Sequence, residues 1–345
     1  MTETVKLRIM IMWKRWLVAS LMIGSSALTA RPYFNDQKAP EKLTDLLNIQ
    51  NYLQDNLERT RAATVCLEMA EGGSGSGVII SKEGLILTAA HVTGGVDRDI
   101  TVIMEDGTRY RGVSLGLESS SDAAMLQIIE DGPFPYVEVD EDDSFRLGDW
   151  VFSLGHSGGF DQKRGVNVRI GRLTRQADDT VQSGCMLIGG DSGGPLFDMN
   201  GRLIGIHSRV GQSKEQSMHV PLREFQRHWD EMLDSKFIAE GSFAKKGSPG
   251  SGFLGIILEE SGEKMIRISK LYPEGPAEKA DLKVGDVFTS IEVRHLGIRV
   301  KAEELNKAET VYEILDKLAP GDRLRLEWTR DGQEHQKKII LGERP

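Results

Sequence analysis

The chain has 345 residues, 39% of them hydrophobic and 28% charged, with a formal net charge of −9. That length exceeds a usual single domain and predicts two folded units plus a processed end, with enough apolar side chains for a proper core. The acidic balance excludes a phosphate-binding surface, and with it nucleic acid as a partner.

In chain order, Lys6, Arg8, Lys14 and Arg15 precede WLVASLMIGSSALTA, an apolar run that ends in small side chains. This is a signal-peptide layout, with cleavage expected after Ala27 or Ala30. The run falls short of the about 20 apolar residues that a spanning helix needs. Residues 1–30 are therefore predicted to direct export, with a membrane anchor over residues 16–30 as the alternative. Residues 38–60 carry Leu43, Leu46, Leu47, Ile49 and Leu53 at helical spacing and predict one amphipathic helix.

From Ala62 to about Pro221 the pattern becomes short β-rich runs, among them TVCLEM, GVIIS, LILTA, DITVIM, AAMLQI, WVFSLG, VNVRIGRL and RLIGIHSRV, separated by Gly, Asp and Ser turns. That predicts an all-β domain of sandwich or barrel type. LREFQRHWDEMLDSKF reads as a closing helix, and AEGSFAKKGSPGSG as a flexible linker by composition. A second unit follows, mixing strands with a helix at KAETVYEILDKL whose buried stripe is Val311, Ile314, Leu315 and Leu318. Cys66 and Cys185 are too few for a disulfide framework and lack zinc-site spacing, so both are expected as buried thiols, with a single bridge between them as the alternative. No metal or other cofactor is expected.

The pentapeptide G-x-S-x-G occurs around Ser157 and again around Ser192. In an α/β-hydrolase it would need a helix after it, with Asp and then His downstream. Neither copy has that context: a strand follows Ser157, and Pro195 opens an extended run after Ser192. GGSGSG over Gly72–Gly77 reads as a tight turn before a strand, because no Lys-Ser/Thr pair or helix follows. The β-barrel arrangement of the same chemistry has chain order His, Asp, Ser. His91 in LILTAAHV, Asp122 in SSSDAAMLQI and Ser192 in GGDSGGP satisfy it.

On those residues the sequence resembles the HtrA (Deg) family of trypsin-like serine proteases followed by a PDZ domain, over about residues 62–345. GSGVIISKEGLILTAAHV, DAAMLQI, RLGDWVFSLG and GGDSGGPLFDMNGRLIGI are similar to its core segments in order and spacing. The resemblance implies a mainly β fold: a trypsin-like double six-stranded β-barrel over residues 62–236, after a helical segment at 31–61. A linker at 237–250 and an α+β PDZ domain at 251–345 would follow.

His91 would act as general base and then acid, Asp122 would fix its tautomer, and Ser192 would attack. The N–H groups of Gly190 and Ser192 would form the oxyanion hole. Asp191 stands where the family usually has Asn. In the wider trypsin-like family an aspartate there pairs with a freed amino terminus, and none lies near this domain's start, so its neutralising partner is open and a gated oxyanion loop is one outcome. By similarity the S1 subsite draws on Met186, Leu187, Ile188 and Ser208. It holds no carboxylate for a basic side chain, which implies an apolar P1 residue. Ile206–Val210 would offer the strand edge on which substrate pairs, and His207 is either a pocket residue or a packed core histidine.

In the second unit Gly252, Phe253, Leu254, Gly255 and Ile256 resemble the PDZ carboxylate-binding loop, and the helix at 308–318 would flank the peptide. GPAEKADLKVGDVF resembles the family's G-P-A-x-x-A-G-L-x-x-G-D-x-I, with Asp281 in place of glycine. The resemblance implies an exported, ATP-independent endopeptidase acting on unfolded or damaged proteins in the bacterial periplasm. It would be trimeric and regulated by C-terminal peptides at the PDZ groove. A catalytically silent PDZ scaffold or holdase is the competing class.

Overall fold

The computed structural model describes residues 31–343 except 70–71, 141–142, 212–215, 240, 245–249, 262–264, 303 and 306; the export signal predicted over residues 1–30 lies outside them. No helix among the described residues is long and apolar enough to cross a membrane.

Helix α1 (Leu43–Ala63) leads in. Its start is fixed by Asp45, whose carboxylate accepts from the Glu41 and Lys42 backbone N–H groups and from the Tyr33 hydroxyl. The predicted apolar stripe divides. Ile49 is buried and Leu53 packs partly on the core, whereas Leu43, Leu46 and Leu47 are exposed.

Strands β1 (Thr64–Met69), β2 (Ser74–Ile79), β3 (Leu85–Ala89), β4 (Asp99–Ile103), β5 (Arg109–Glu118) and β6 (Ala123–Ile128) run in the order β5-β4-β1-β2-β3-β6, and pairing of β5 with β6 closes the ring. A second closed barrel, ordered β10-β11-β12-β9-β8-β7, is built from β7 (Trp150–Gly155), β8 (Asn167–Gln176), β9 (Val181–Ser183), β10 (Pro195–Asp198), β11 (Leu203–Val210) and β12 (Ser217–Pro221). The continuous burial of LILTA and AAMLQI has a simple cause. Ile79, Ile86 and Leu126 fill the first barrel, while Val78, Leu85, Leu87 and Met125 join Phe152, Leu154, Phe197 and Ile206 of the second in one core. Strands buried on both faces lose their period-two alternation.

The single closing helix predicted from LREFQRHWDEMLDSKF is two short ones, Leu222–Arg227 and Trp229–Leu233, because His228 leaves helical geometry at φ −117°, ψ 20°. Residues 237–239 and 241–244, expected within the linker, lie against the first barrel instead. Strand β13 (Phe237–Ile238) pairs with β5 in parallel, and Ala244 is buried with Ala90, Leu117 and Ala124.

Strand β14 (Gly252–Phe253) opens the C-terminal unit. Strands β15 (Ile256–Ser261), β16 (Met265–Leu271), β17 (Val287–Val293), β18 (Ile298–Lys301), β19 (Arg323–Arg330) and β20 (Gln333–Ile340) form a sheet ordered β15-β16-β17-β19-β20, with β18 on β17; β14 pairs with β21 (Gly342–Glu343). Its separate core includes Val311, Ile314 and Leu315 of the helix Ala308–Leu315, together with Leu318 beyond it. Asp281 sits at φ +66°, the left-handed region that glycine enters freely and aspartate tolerates. Arg323, almost fully buried, reaches from this unit to Asp99 of the first barrel, Nη1 to Oδ2 2.9 Å.

Candidate active site

The apolar strand β3 ends in a one-turn helix, Ala90–Thr93, that carries His91. Its start is tied to the turn before β6, since Ala90 N donates to Asp122 O at 3.0 Å. Asp122 is fully buried and held at φ +72°, the left-handed region, which aspartate tolerates at a cost that its surroundings offset. Those surroundings are visible. Asp122 Oδ1 accepts from His91 N at 3.0 Å, Oδ2 lies 2.9 Å from His91 Nδ1, and Ser208 Oγ donates to Oδ2 at 2.6 Å. A carboxylate bound at Nδ1 selects the tautomer with its proton there, leaving Nε2 as a free base.

Ser192 comes from the second barrel, in the turn that precedes β10. The loop is stitched to both barrels: Ser76 N of β2 donates to Ser192 O at 2.7 Å, and Gly193 N donates to His207 O at 2.7 Å. Ser192 Oγ donates to Ser208 O at 3.5 Å, the outer limit of a hydrogen bond. Ser208 thus connects both halves of the site, its hydroxyl on Asp122 and its carbonyl toward Ser192. A loose nucleophile contact is common before substrate arrives.

Gly190 has φ +93°, and a Cβ there would lie 2.5 Å from Gly158 N and 2.6 Å from His156 O. Only glycine fits so close to another backbone. Gly158 N donates to Gly189 O at 2.7 Å. Because a trans peptide points its C=O and the following N–H in opposite directions, this bond turns the Gly190 N–H away from residues 156–159. Neither Gly190 N nor Ser192 N donates to any described residue. Two free N–H groups beside a serine are what an oxyanion requires.

Asp191, buried beneath them, has its partner. Arg169 Nη2 of β8 lies 3.0 Å from Asp191 Oδ2, Ser157 Oγ donates to Oδ1 at 2.6 Å, and Ile188 N donates to Oδ2 at 2.9 Å. Arg169 Nη2 also donates to Ser157 Oγ at 2.8 Å. An arginine from a neighbouring strand thus meets the charge that an amino terminus meets elsewhere, and Ser157, from the first pentapeptide, helps to bind it.

Residues 75–206 match the family described as the trypsin-like peptidase domain. The chain is also similar to a probable periplasmic serine endoprotease, DegP-like, of Bartonella henselae, 25% identical over 95% of this chain. A probable periplasmic serine protease do/HhoA-like of Haemophilus influenzae is 28% identical over 78% of this chain. This chain spans 66% and 58% of those proteins' own lengths. Among solved structures, a serine endoprotease from Yersinia pestis aligns with 89% of this chain and all of its own, at 21% identity and a TM-score of 0.47.

Around the peptidase domain's site the remaining residues are placed as follows. Met186 and Ile188 are exposed, while Leu187 between them is buried, its N–H donating to Ser217 Oγ at 3.2 Å. Ser208, expected at the pocket, commits its hydroxyl to Asp122. His207 is a packed core histidine: it is fully buried, with Nδ1 2.9 Å from His219 Nδ1, and His219 Nε2 is 2.7 Å from Ser183 Oγ. Two ring nitrogens that close need a lone pair on one of them, and burial holds His207 well below the ordinary histidine value and His219 at about 3. Burial also lowers His156 to about 4.

In the C-terminal unit, Gly252 N donates to Leu318 O at 3.1 Å, Leu254 is buried, and Gly255 has φ +80°. Leu254 N and Gly255 N donate to no described residue. On β15 the Leu258 N–H is already taken by the Tyr312 hydroxyl, at 3.1 Å. The roles of Arg169, Ser157 and Ser76 escape a motif search, although Ser157 and Ser76 lie in glycine-rich motifs, because each acts through a contact between segments far apart in sequence. The one signal was Asp191 itself, a carboxylate in a glycine-rich turn that burial would force to find a cation.

Proposed function

We propose that the chain is an exported serine endopeptidase of HtrA type that cleaves unfolded or damaged protein in the bacterial periplasm. The reading rests above all on one observation: a single hydrogen-bonded series joins His91, Asp122, Ser208 and Ser192 beside the free N–H groups of Gly190 and Ser192. In the reaction His91 Nε2 takes the Ser192 proton as Oγ attacks the scissile carbonyl, and returns it to the leaving amine. Buried Asp122 stabilises the imidazolium between those steps. The developing oxyanion is met by Gly190 N and Ser192 N, each donor of this kind being worth about 3 kcal/mol. The substrate strand pairs with Ser208–Val210, which lies beyond the end of β10, whose pairing with β11 stops at Ile206.

The exposed apolar side chains of Met186 and Ile188 favour an apolar P1 residue, because residues 186–188 carry no carboxylate to meet a buried cation. Residues 251–343 act as the PDZ unit, binding a peptide carboxylate at Leu254 and Gly255, and exposed Leu43, Leu46 and Leu47 of α1 offer apolar surface for trimer contacts. The periplasmic names of the similar proteins support the location.

The test is labelling by a fluorophosphonate together with casein hydrolysis. Stoichiometric labelling at Ser192 is expected, with casein cleavage after Val, Ala, Leu, Ile or Met that Ser192→Ala, His91→Ala and Asp122→Asn each abolish without unfolding the protein. Undiminished casein hydrolysis by purified Ser192→Ala protein would remove the assignment, and a folded but unlabelled wild-type protein would leave the scaffold reading in its place.

A further inference from the structure

Ser119, three residues before Asp122, is a small side chain at the edge of the site, and a later segment fills the space beside it. Residues 237–239 and 241–244 are fastened there at several points: β13 pairs with Leu117 and Glu118, Ser119 N donates to Ile238 O at 3.1 Å, and Ala244 N donates to Ser119 Oγ at 2.8 Å. Gly241 allows the approach, since a Cβ on it would lie 2.6 Å from Ser119 C and 2.7 Å from Ser120 Cα. The segment carries Phe243 to the catalytic histidine. The Phe243 and His91 rings are 6.3 Å apart between centroids, and the Arg209 guanidinium lies over the Phe243 ring, 4.9 Å from its centroid.

Arg209 directly follows Ser208, on the strand edge to which substrate is assigned above. A substrate strand on that edge, with its scissile carbonyl at Ser192, sends the side chain preceding P1 between Arg209 and His91. Phe243 stands across that gap.

Resting on the peptidase reading, we propose that Phe243 is a specificity-determining residue: it forms the outer wall of the S2 subsite and limits P2 to small side chains. The wall comes from outside the two barrels, on the segment that leads toward the C-terminal unit. The anchoring by β13, Ser119 and buried Ala244 makes it a fixed wall rather than a plug that substrate displaces.

The experiment compares full-length wild type, Phe243→Ala and Phe243→Leu on peptides with Val at P1 and Gly, Ala, Leu or Phe at P2, after fluorophosphonate titration of Ser192 in each. Wild type should prefer Ala over Phe at P2 by about tenfold in kcat/KM, the scale at which an apolar pocket discriminates by size. Phe243→Ala should bring that ratio near one, and Phe243→Leu should fall between. Equal titration amplitudes show that the variants fold.

Unchanged P2 ratios in proteins that titrate fully would overturn the wall while leaving the peptidase reading intact. A uniform rise of kcat/KM at every P2 residue would overturn it too, identifying a displaceable plug. Absence of labelling in folded wild type would instead defeat the peptidase reading, and the subsite with it.

Discussion

Arg169→Met removes the cation paired with Asp191. In the native site that carboxylate is 1% exposed, pairs with Arg169 at 3.0 Å, and accepts from Ser157 Oγ and from Ile188 N. Without Arg169 it keeps two neutral donors and no counter-charge. Breaking a buried ion pair costs about 3–5 kcal/mol. Because the Arg169 side chain is itself 20% exposed, water can partly replace it, which places the effect near the lower end, about 3 kcal/mol.

The strain should appear locally first. Asp191 closes the turn from Ile188, and that turn aims the Gly190 N–H; a shift of about 3 kcal/mol against the aligned turn lowers kcat by about 10²-fold. The assay is peptide hydrolysis normalised to fluorophosphonate-reactive sites, alongside urea unfolding. Asp191→Asn in the Arg169→Met background removes the orphaned charge and should recover most of the lost activity, a coupling that neither single change predicts. Full kcat and an unchanged urea midpoint in Arg169→Met would refute the clamp.

Burial holds His156 at about 4, His219 at about 3 and His207 well below the ordinary value of 6.5, so the unfolded chain binds more protons than the folded one as pH falls below 6.5. Stability is therefore fully present above pH 6.5 and lost below it, by up to about 1.4 kcal/mol per pH unit for each residue. Urea midpoints at pH 7, 6 and 5 check this, and a flat profile would count against neutral buried histidines. Cys66, pushed up to about 12 by burial, and Cys185, also raised by burial, should resist iodoacetamide at pH 8 in the native protein and both react in urea; rapid native alkylation would contradict their burial. Tyr312→Phe frees the Leu258 N–H for a peptide strand and should tighten binding of a C-terminal peptide roughly fivefold, the worth of one net hydrogen bond, by calorimetry. Equal or weaker binding would mean that the Tyr312 hydroxyl does not compete with peptide.

What the sequence made legible was chemistry that has to be local. His91 follows a strand, Asp122 precedes one, and Ser192 needs glycines on both sides, so short segments single out all three as candidates and their order points to the barrel architecture. The Asp191–Arg169 pair shows the opposite case. The carboxylate was conspicuous, but its partner lies on β8, and register rather than spacing brings β8 there.

Composition misled over the first part of AEGSFAKKGSPGSG, where Gly, Ser and Lys suggest mobility. Gly241 serves close packing against Ser119 instead. The α1 stripe misled in another way: helical periodicity finds an apolar face, but which part of it meets the core depends on where the helix sits, and Leu43, Leu46 and Leu47 lie beyond that contact. Asp281 differs in residue type from the glycine of the pattern it resembles, yet its φ of +66° is one that glycine enters freely.

The two halves of the site differ in how much must change before reaction, and the difference follows from which atoms are clamped. On the proposed reading the oxyanion donors are backbone groups. Moving them would break the bonds of Gly158 to Gly189, of Ile188 to Asp191 and of Asp191 to Arg169 together, several kcal/mol in a buried setting. The serine hydroxyl is held by one 3.5 Å contact to Ser208 O, worth at most about 1 kcal/mol, and leaves it by a rotamer change on the picosecond to nanosecond scale. That Ser208 carbonyl lies on the strand where substrate is assigned. A substrate backbone drawn up beside it encounters donors already in place and a nucleophile that needs only to turn, so binding energy is left for aligning the scissile bond rather than for building the hole.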